Sequence, residues 1–243
     1  LSASSEQEVR AIIEALREAR RATPLPDMLI TGPPVVDLDL KDMSARDAAR
    51  AEWIGLPLSL LVLLWVFGSF VAALLPLLAA VVSITVAFAV LLGVGTFLPL
   101  ASYAQIIVTM LGLAIGIDYA LLLVNRFREE LRQGHATNDA LSRTMRTAGV
   151  SVLFSGSTVL IALAALLVPP LTFVRSLGAS AMVILATGML VAVTAVPALL
   201  VLLGPRVNAG RISQRAPGTR SAPVWRAWGQ RVVRTPARFA AVG

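Results

Sequence analysis

Charge is nearly absent from two long stretches of this chain. Between Trp53 and Asn125 the only charged side chain is Asp118, and between Thr147 and Pro205 the only one is Arg175. A single bilayer crossing takes about 20 consecutive apolar residues, so each stretch must fold back and cross more than once. Helices satisfy their backbone hydrogen bonds within the segment, as hydrocarbon demands. Composition agrees: 57% of the residues are hydrophobic and 14% charged, where a soluble domain is about a quarter charged. The expected fold is an all-α polytopic membrane protein.

Five crossings can be placed within a membrane block at 53–205. They cover about 53–69, 72–96, 104–126, 150–168 and 176–203. Gly68-Ser69 supplies a tight turn between the first two, and the first can extend back into the helical run before it. Pro99 and Tyr103 lead into the third. Gly134 stops the helix that leaves it, Pro169-Pro170 ends the fourth and Gly204-Pro205 the fifth. The polar segment 127–149 reads as a separate short helix, with Thr137 as N-cap, Asp139 in its first turn and Arg143 and Arg146 in its last.

Residues 1–52 read as extramembrane α/β structure. Ser5 and Glu8 have capping-box spacing, and Val9, Ile12, Ile13 and Leu16 recur at helical spacing before Pro24 and Pro26 break the helix. Met28 to Thr31 form a strand candidate closed by Gly32-Pro33-Pro34, and a second helical run starts near Leu40. One helix and one strand bury too little to stand alone, so this is expected to be the last part of a larger domain. With no Met at position 1 and a new apolar stretch opening at Phe239 to Val242, both ends are expected to be cuts in a longer protein.

The net charge of +7 raises the question of nucleic acid. Ten of the 14 acidic residues precede Trp53, none follows Asp139, and eight arginines follow Pro205. A basic tail beside membrane spans fits the positive-inside rule and an anionic lipid surface, and no aromatic-and-basic groove pattern accompanies it, so nucleic acid is not an expected partner. Segment 126–149 holds five arginines and the tail eight. Two crossings separate them, which puts 127–149 and 206–235 on the cytoplasmic side and 1–52 outside. Residues 206–223 read as a linker rich in Arg, Gly, Pro and Ser. In 224–235, Val224, Trp225, Trp228 and Val232 share one helical face opposite Arg226, Gln230, Arg231 and Arg234, the pattern of an interfacial amphipathic helix. Residues 236–243 begin a further span. The chain has no cysteine, and its one histidine, His135, lies in a glycine-flanked loop, so neither a metal site nor a cofactor is expected.

Asp118 lies about eight residues from the nearer end of its span, roughly 12 Å at 1.5 Å per residue. An aspartate is too short to snorkel that far, and a charge at such depth marks function by default. Loss of water raises a carboxyl pKa and a nearby cation lowers it. A carboxyl held between these influences loads and releases protons, as a proton-driven machine requires. Gly112 and Gly116 form a GxxxG step for close helix approach. Tyr119 places a hydroxyl beside the carboxylate, and Ser155, Ser157 and Thr158 of the next span can hydrogen-bond across helices, hold water, or bond to their own backbone.

The run Gly116-Ile117-Asp118-Tyr119, a short apolar stretch Leu121 to Val124, and then Asn125-Arg126-Phe127-Arg128-Glu129-Glu130-Leu131 resembles the signature of the MMPL family, within the resistance–nodulation–division superfamily. Val66-Phe67-Gly68-Ser69 with Ala73-Leu74-Leu75-Pro76 resembles that family's join between its second and third helices, and Leu203-Gly204-Pro205-Arg206 the end of its sixth. The resemblance covers about residues 30–206; Asn125 departs from it, standing where a serine is common. It implies that the five crossings are family helices two to six, that 1–52 end a periplasmic porter domain, and that the protein sits in a bacterial inner membrane. It implies proton-driven export of lipids or other hydrophobic small molecules. Asp118 would be the proton carrier and Tyr119 its hydrogen-bond partner, matched by a second Asp-Tyr pair on the missing C-terminal half.

Three other readings compete. An intramembrane aspartyl protease needs two carboxylates sharing a proton, and only one acid lies within these spans. A sterol-sensing-like lipid receptor would need the helices but not a titrating acid. A proton-coupled accessory of protein secretion would use such an aspartate, but the arginine–glutamate run favours the MMPL resemblance. The expected class is a transporter rather than an enzyme.

Overall fold

The computed structural model describes residues 3–22, 32–95, 104–210 and 222–235, and every regular element among them is helical. The helices are α1 (Ala3–Ala22), α2 (Pro33–Phe67), α3 (Phe70–Gly95), α4 (Ala104–Arg132), α5 (Thr137–Thr144), α6 (Val150–Ala164), α7 (Thr172–Val193), α8 (Ala195–Leu203) and α9 (Ala222–Arg234). Four stretches are long and apolar enough to span a membrane: Phe70–Gly93, Gln105–Arg132, Thr137–Leu167 and Thr172–Asn208. They correspond to the second to fifth expected crossings. The first expected crossing is apolar only over Trp53–Phe67, which is shorter than the other four.

That shorter stretch is the end of a single 35-residue helix, α2. Between Val35 and Glu52 no Gly or Pro interrupts it, so the extramembrane run and the apolar run fuse. Pro33 and Pro34 start this helix, where a missing N–H costs nothing, rather than closing a strand. The strand candidate 28–31 lies outside the described residues. In α1, Ser5 falls inside the helix instead of capping it, and of the apolar stripe Ile13 is buried while Ile12 and Leu16 are exposed.

The expected polar loop at 127–149 is helix almost throughout. Gly134, with φ +89°, turns the chain after α4 as expected. Ala136 then takes the N-cap position without a side-chain bond, and Thr137 is already helical. From Thr137 to Leu167 the path is continuous, through one wide turn at Met145–Gly149 and a tighter one at Ala165–Leu167. In the wide turn the Val150 N–H donates to the Met145 carbonyl, five residues back. The Thr147 hydroxyl donates to the carbonyls of Arg143 and Thr144 at 2.9 and 3.3 Å. The last crossing is broken at Thr194 (φ −120°, ψ −67°). Pro197 is the cause, because it offers no N–H to the Val193 carbonyl and its ring crowds that oxygen.

Helices α3, α4 and α7 pack on one another at the centre, and α6 packs on α7. Small residues set the spacing. Ala72, Ala73, Ala80 and Ala87 of α3 are fully buried. A Cβ on Gly116 would stand 2.5 Å from the Ala80 Cα, and one on Gly112 would stand 2.5 Å from Ile84 and 2.8 Å from Ile184. Gly156 lies against Met189. In hydrocarbon such close approach supplies much of the association energy.

Gly116→Ala should therefore lower the thermal unfolding midpoint in detergent, by an overpacking cost of about 1–3 kcal/mol. Gly55→Ala, where a Cβ meets nothing within 4 Å, should leave it in place or raise it. Equal midpoints for the two variants would show that the α3–α4 contact is looser than described.

Candidate functional site

Asp118 lies in the middle of α4. Gly112 and Gly116 face α3 and α7, so the expected GxxxG step is a packing site within the bundle. Two residues beyond Gly116, about 200° around the helix, Asp118 points away from α3 and is exposed. It belongs to an uncovered stripe of α4 made of Leu111, Ala114, Asp118, Leu122, Asn125 and Glu129, all exposed. Asp118, Asn125 and Glu129 are its polar members.

Tyr119 is half-buried and turns toward α6, where its hydroxyl lies near Ser155. The Ser155 hydroxyl also reaches the Val152 carbonyl at 3.3 Å. Thr158 donates to the Phe154 carbonyl at 3.0 Å, the backbone bond that threonines make one turn back in helices. Ser157 is exposed and lies about 200° around α6 from Ser155, on the other side from Tyr119. The structure thus brings Ser155 near Tyr119, which adjoins Asp118 on α4, and leaves Ser157 and Thr158 apart.

A second cluster forms at the arginine-rich end of the bundle. Arg128 lies one turn beyond Val124 on the buried face of α4 and is itself buried. Its Nε donates to the Asn208 Oδ1 at 2.7 Å and its Nη2 to the Phe67 carbonyl at 3.0 Å. The guanidinium stands 5.2 Å from the centre of the Phe67 ring. Next to it, the buried Ser69 hydroxyl meets the carbonyls of Ala209 at 2.7 Å and Val207 at 3.1 Å. The Phe70 N–H donates to Gly210 at 3.3 Å. Gly68 makes the turn between α2 and α3 with φ +58° and donates its N–H to the Leu64 carbonyl. Residues 206–210, expected as the start of a linker, are part of this cluster: Gly204–Asn208 form a short tight helix and Val207 is fully buried. Residues 211–221 lie outside the described residues.

Glu130 is buried one turn from Arg126, with 2.5 Å between Oε1 and Nη2, while Arg126 Nη1 reaches Glu129 at 3.0 Å. The Nδ1 of His135 lies 3.1 Å from Glu130 Oε2 and 3.2 Å from its backbone carbonyl. His135, expected to be solvated, folds back over Glu130.

The three segments that join at Arg128 and Ser69 are those whose sequences resemble one family: the turn after α2, the run after Asp118 and the stretch after α8. Comparison with known proteins decides the matter, because the MMPL family matches residues 1–239. The chain belongs to the MMPL family. A membrane protein of Streptomyces coelicolor is 44% identical over 178 residues, covering 73% of this chain and 25% of that protein. The trehalose monomycolate exporter of Mycolicibacterium smegmatis is 35% identical over 183 residues, 75% of this chain and 18% of the exporter. The mycolic acid-containing lipids exporter of the same organism is 34% identical over 195 residues, 79% of this chain and 20% of that protein. This MMPL chain therefore spans a quarter or less of the length of these relatives. Two of the three are named as exporters.

In the sequence of this MMPL chain Arg128, Glu130 and Ser69 stand only as parts of a family signature and a turn, and Asn208 as part of a linker, with no role assigned to any of them. A signal for Arg128 was present: Ala120, Val124 and Arg128 fall at i, i+4 and i+8, and the first two are apolar. Arg128→Met should destabilise the bundle by about 2–4 kcal/mol, because two charge-assisted hydrogen bonds of about 1.5–3 kcal/mol each are lost and partly offset by apolar burial. Arg128→Lys should recover less than half of that loss, since one ammonium cannot reproduce the fork. Thermal unfolding in detergent measures both, and full recovery by lysine would show that charge alone matters there.

Proposed function

We propose that this chain carries the proton-binding half of an MMPL transporter that exports lipids or other hydrophobic molecules, with Asp118 as proton carrier. The observation that carries the proposal is the position of Asp118. It is the only charged residue between Trp53 and Asn125, it sits mid-span, and it is exposed on the uncovered stripe of α4. A carboxylate held there by no packing role is free to change its protonation state without disturbing the bundle. The named exports of the two mycobacterial-type relatives, trehalose monomycolate and mycolic acid-containing lipids, support a lipid-like cargo.

Tyr119 positions the carboxylate's surroundings. Its hydroxyl lies near Ser155 of α6, so a proton arriving at the acid meets a polar neighbourhood. The stripe that bears Asp118 is where the second half of the longer protein docks, bringing the matching Asp-Tyr pair. On this reading the arginine-rich ends of α4 and α8, together with α9, are cytoplasmic. Residues 1–52 lie outside the inner membrane and connect through continuous α2 to the proton site's bundle.

In the full-length protein, Asp118→Asn should reduce lipid export to background while membrane insertion and thermal midpoint stay unchanged. Tyr119→Phe and Ser155→Ala should each lower the rate by about 2–10-fold, the worth of one hydrogen bond. Export that survives Asp118→Asn would overturn the proton-carrier role. A lipid receptor would bind its ligand equally well with either residue.

A further inference from the structure

Helix α9 has the sharpest division of polarity in the chain. At about 100° per residue, sequence register puts Val224, Trp225, Trp228, Gly229, Val232 and Val233 in one half of its circumference. Arg226, Gln230, Arg231 and Arg234 fall in the other half. On the apolar half Trp228 is half exposed, Val232 is partly exposed and Val233 is 79% exposed, and no other described element packs extensively on α9. A helix this apolar on one side is stable in isolation only when that side is buried.

The polar half narrows the choice of occupant. No acidic residue follows Asp139, so α9 carries three arginines with no acid of its own, and five further arginines flank it after Pro205. The bundle has little to offer them. Of the acids on this end, Glu130 is buried with Arg126 and His135, and Glu129 is paired with Arg126. Asp139 remains, one exposed carboxylate against eight tail arginines. Cations this numerous call for a dense anionic surface that also accepts tryptophan and valine side chains. The headgroup layer of a bilayer is such a surface, since indoles settle at the interface and arginines extend from buried stems to phosphates.

We propose that α9 binds anionic phospholipid headgroups, and that this binding holds the arginine-rich tail flat on the membrane. The partner is the lipid phosphate together with net negative headgroup charge, so a zwitterionic surface serves poorly. Each arginine should contribute about a fivefold factor to partitioning. The proposal does not depend on the role of Asp118.

The absence of cysteine from the chain makes the test direct. Val233→Cys, labelled with a polarity-sensitive fluorophore, is reconstituted in nanodiscs of phosphatidylcholine or of phosphatidylglycerol. In phosphatidylglycerol the emission should shift to the blue, doxyl-labelled lipid should quench it, and aqueous iodide should not. In phosphatidylcholine, or at high salt, iodide access should rise. Arg226→Gln, Arg231→Gln and Arg234→Gln together should expose the label even in phosphatidylglycerol. Replacing the same three residues with Lys should preserve shielding, which separates charge from loss of folding. Equal shielding in both lipids that is indifferent to the glutamines would overturn the proposal.

Discussion

Helices in hydrocarbon gain nothing by hiding apolar faces from water, so a bundle there must be held by closeness and by polar contacts that have no alternative partner. This chain uses both, at two levels of the same helix. Midway along α4, Gly116 lets the backbone of α3 approach at Ala80, and Gly112 admits the side chains of Ile84 and Ile184 from α3 and α7. At its arginine-rich end, Arg128 reaches out of α4 to the last carbonyl of α2 and to Asn208 beyond α8. Both α3 and α7 pack on α4 as well as on each other, so either contact positions the whole bundle.

The seam also decides which way the acid faces. With the two glycines committed to the inside of the bundle, the helical repeat forces Asp118 outward, beside Tyr119 and its Ser155 contact. The packing and the chemistry therefore occupy different faces of one helix. That separation explains why a lone carboxylate is tolerated in a stretch otherwise without charge. It costs the bundle no packing, and its surroundings come from whatever covers the stripe.

Much of this was legible from residue order. The uncharged runs marked the membrane helices, and Gly68, Gly134 and Gly204 marked their ends, since a positive φ is needed at each. Asp118 stood out because its neighbours carry no charge. Legibility failed where local polarity and tertiary packing disagree. Residues 137–149 are polar enough to read as a loop helix, yet they continue unbroken into the apolar α6, because nothing in Thr144 to Val150 stops a helix. Arg128 counted only as one of five arginines in segment 126–149 and as part of the family signature, because its partners, Phe67 and Asn208, are 61 and 80 residues away. Ser157 and Thr158 read as equals of Ser155, and only the azimuth of α6 distinguishes them. That azimuth depends on the wide turn before it, which no propensity signals.

The turn at Met145–Gly149 carries a consequence of its own. It accommodates one residue more than an α-helical turn, and each added residue rotates the downstream helix by about 100°. Upstream of it, Ala140 and Thr144 are buried, and α5 packs on α4. Downstream, Ser155 lies near Tyr119. The two registrations are compatible only because the surplus residue absorbs the phase difference between them, much as a vernier offsets one scale against another. The side chain opposite Tyr119 is therefore fixed by a count of residues some distance away, and insertions or deletions there would change the chemistry beside Asp118 without altering a single side chain near it.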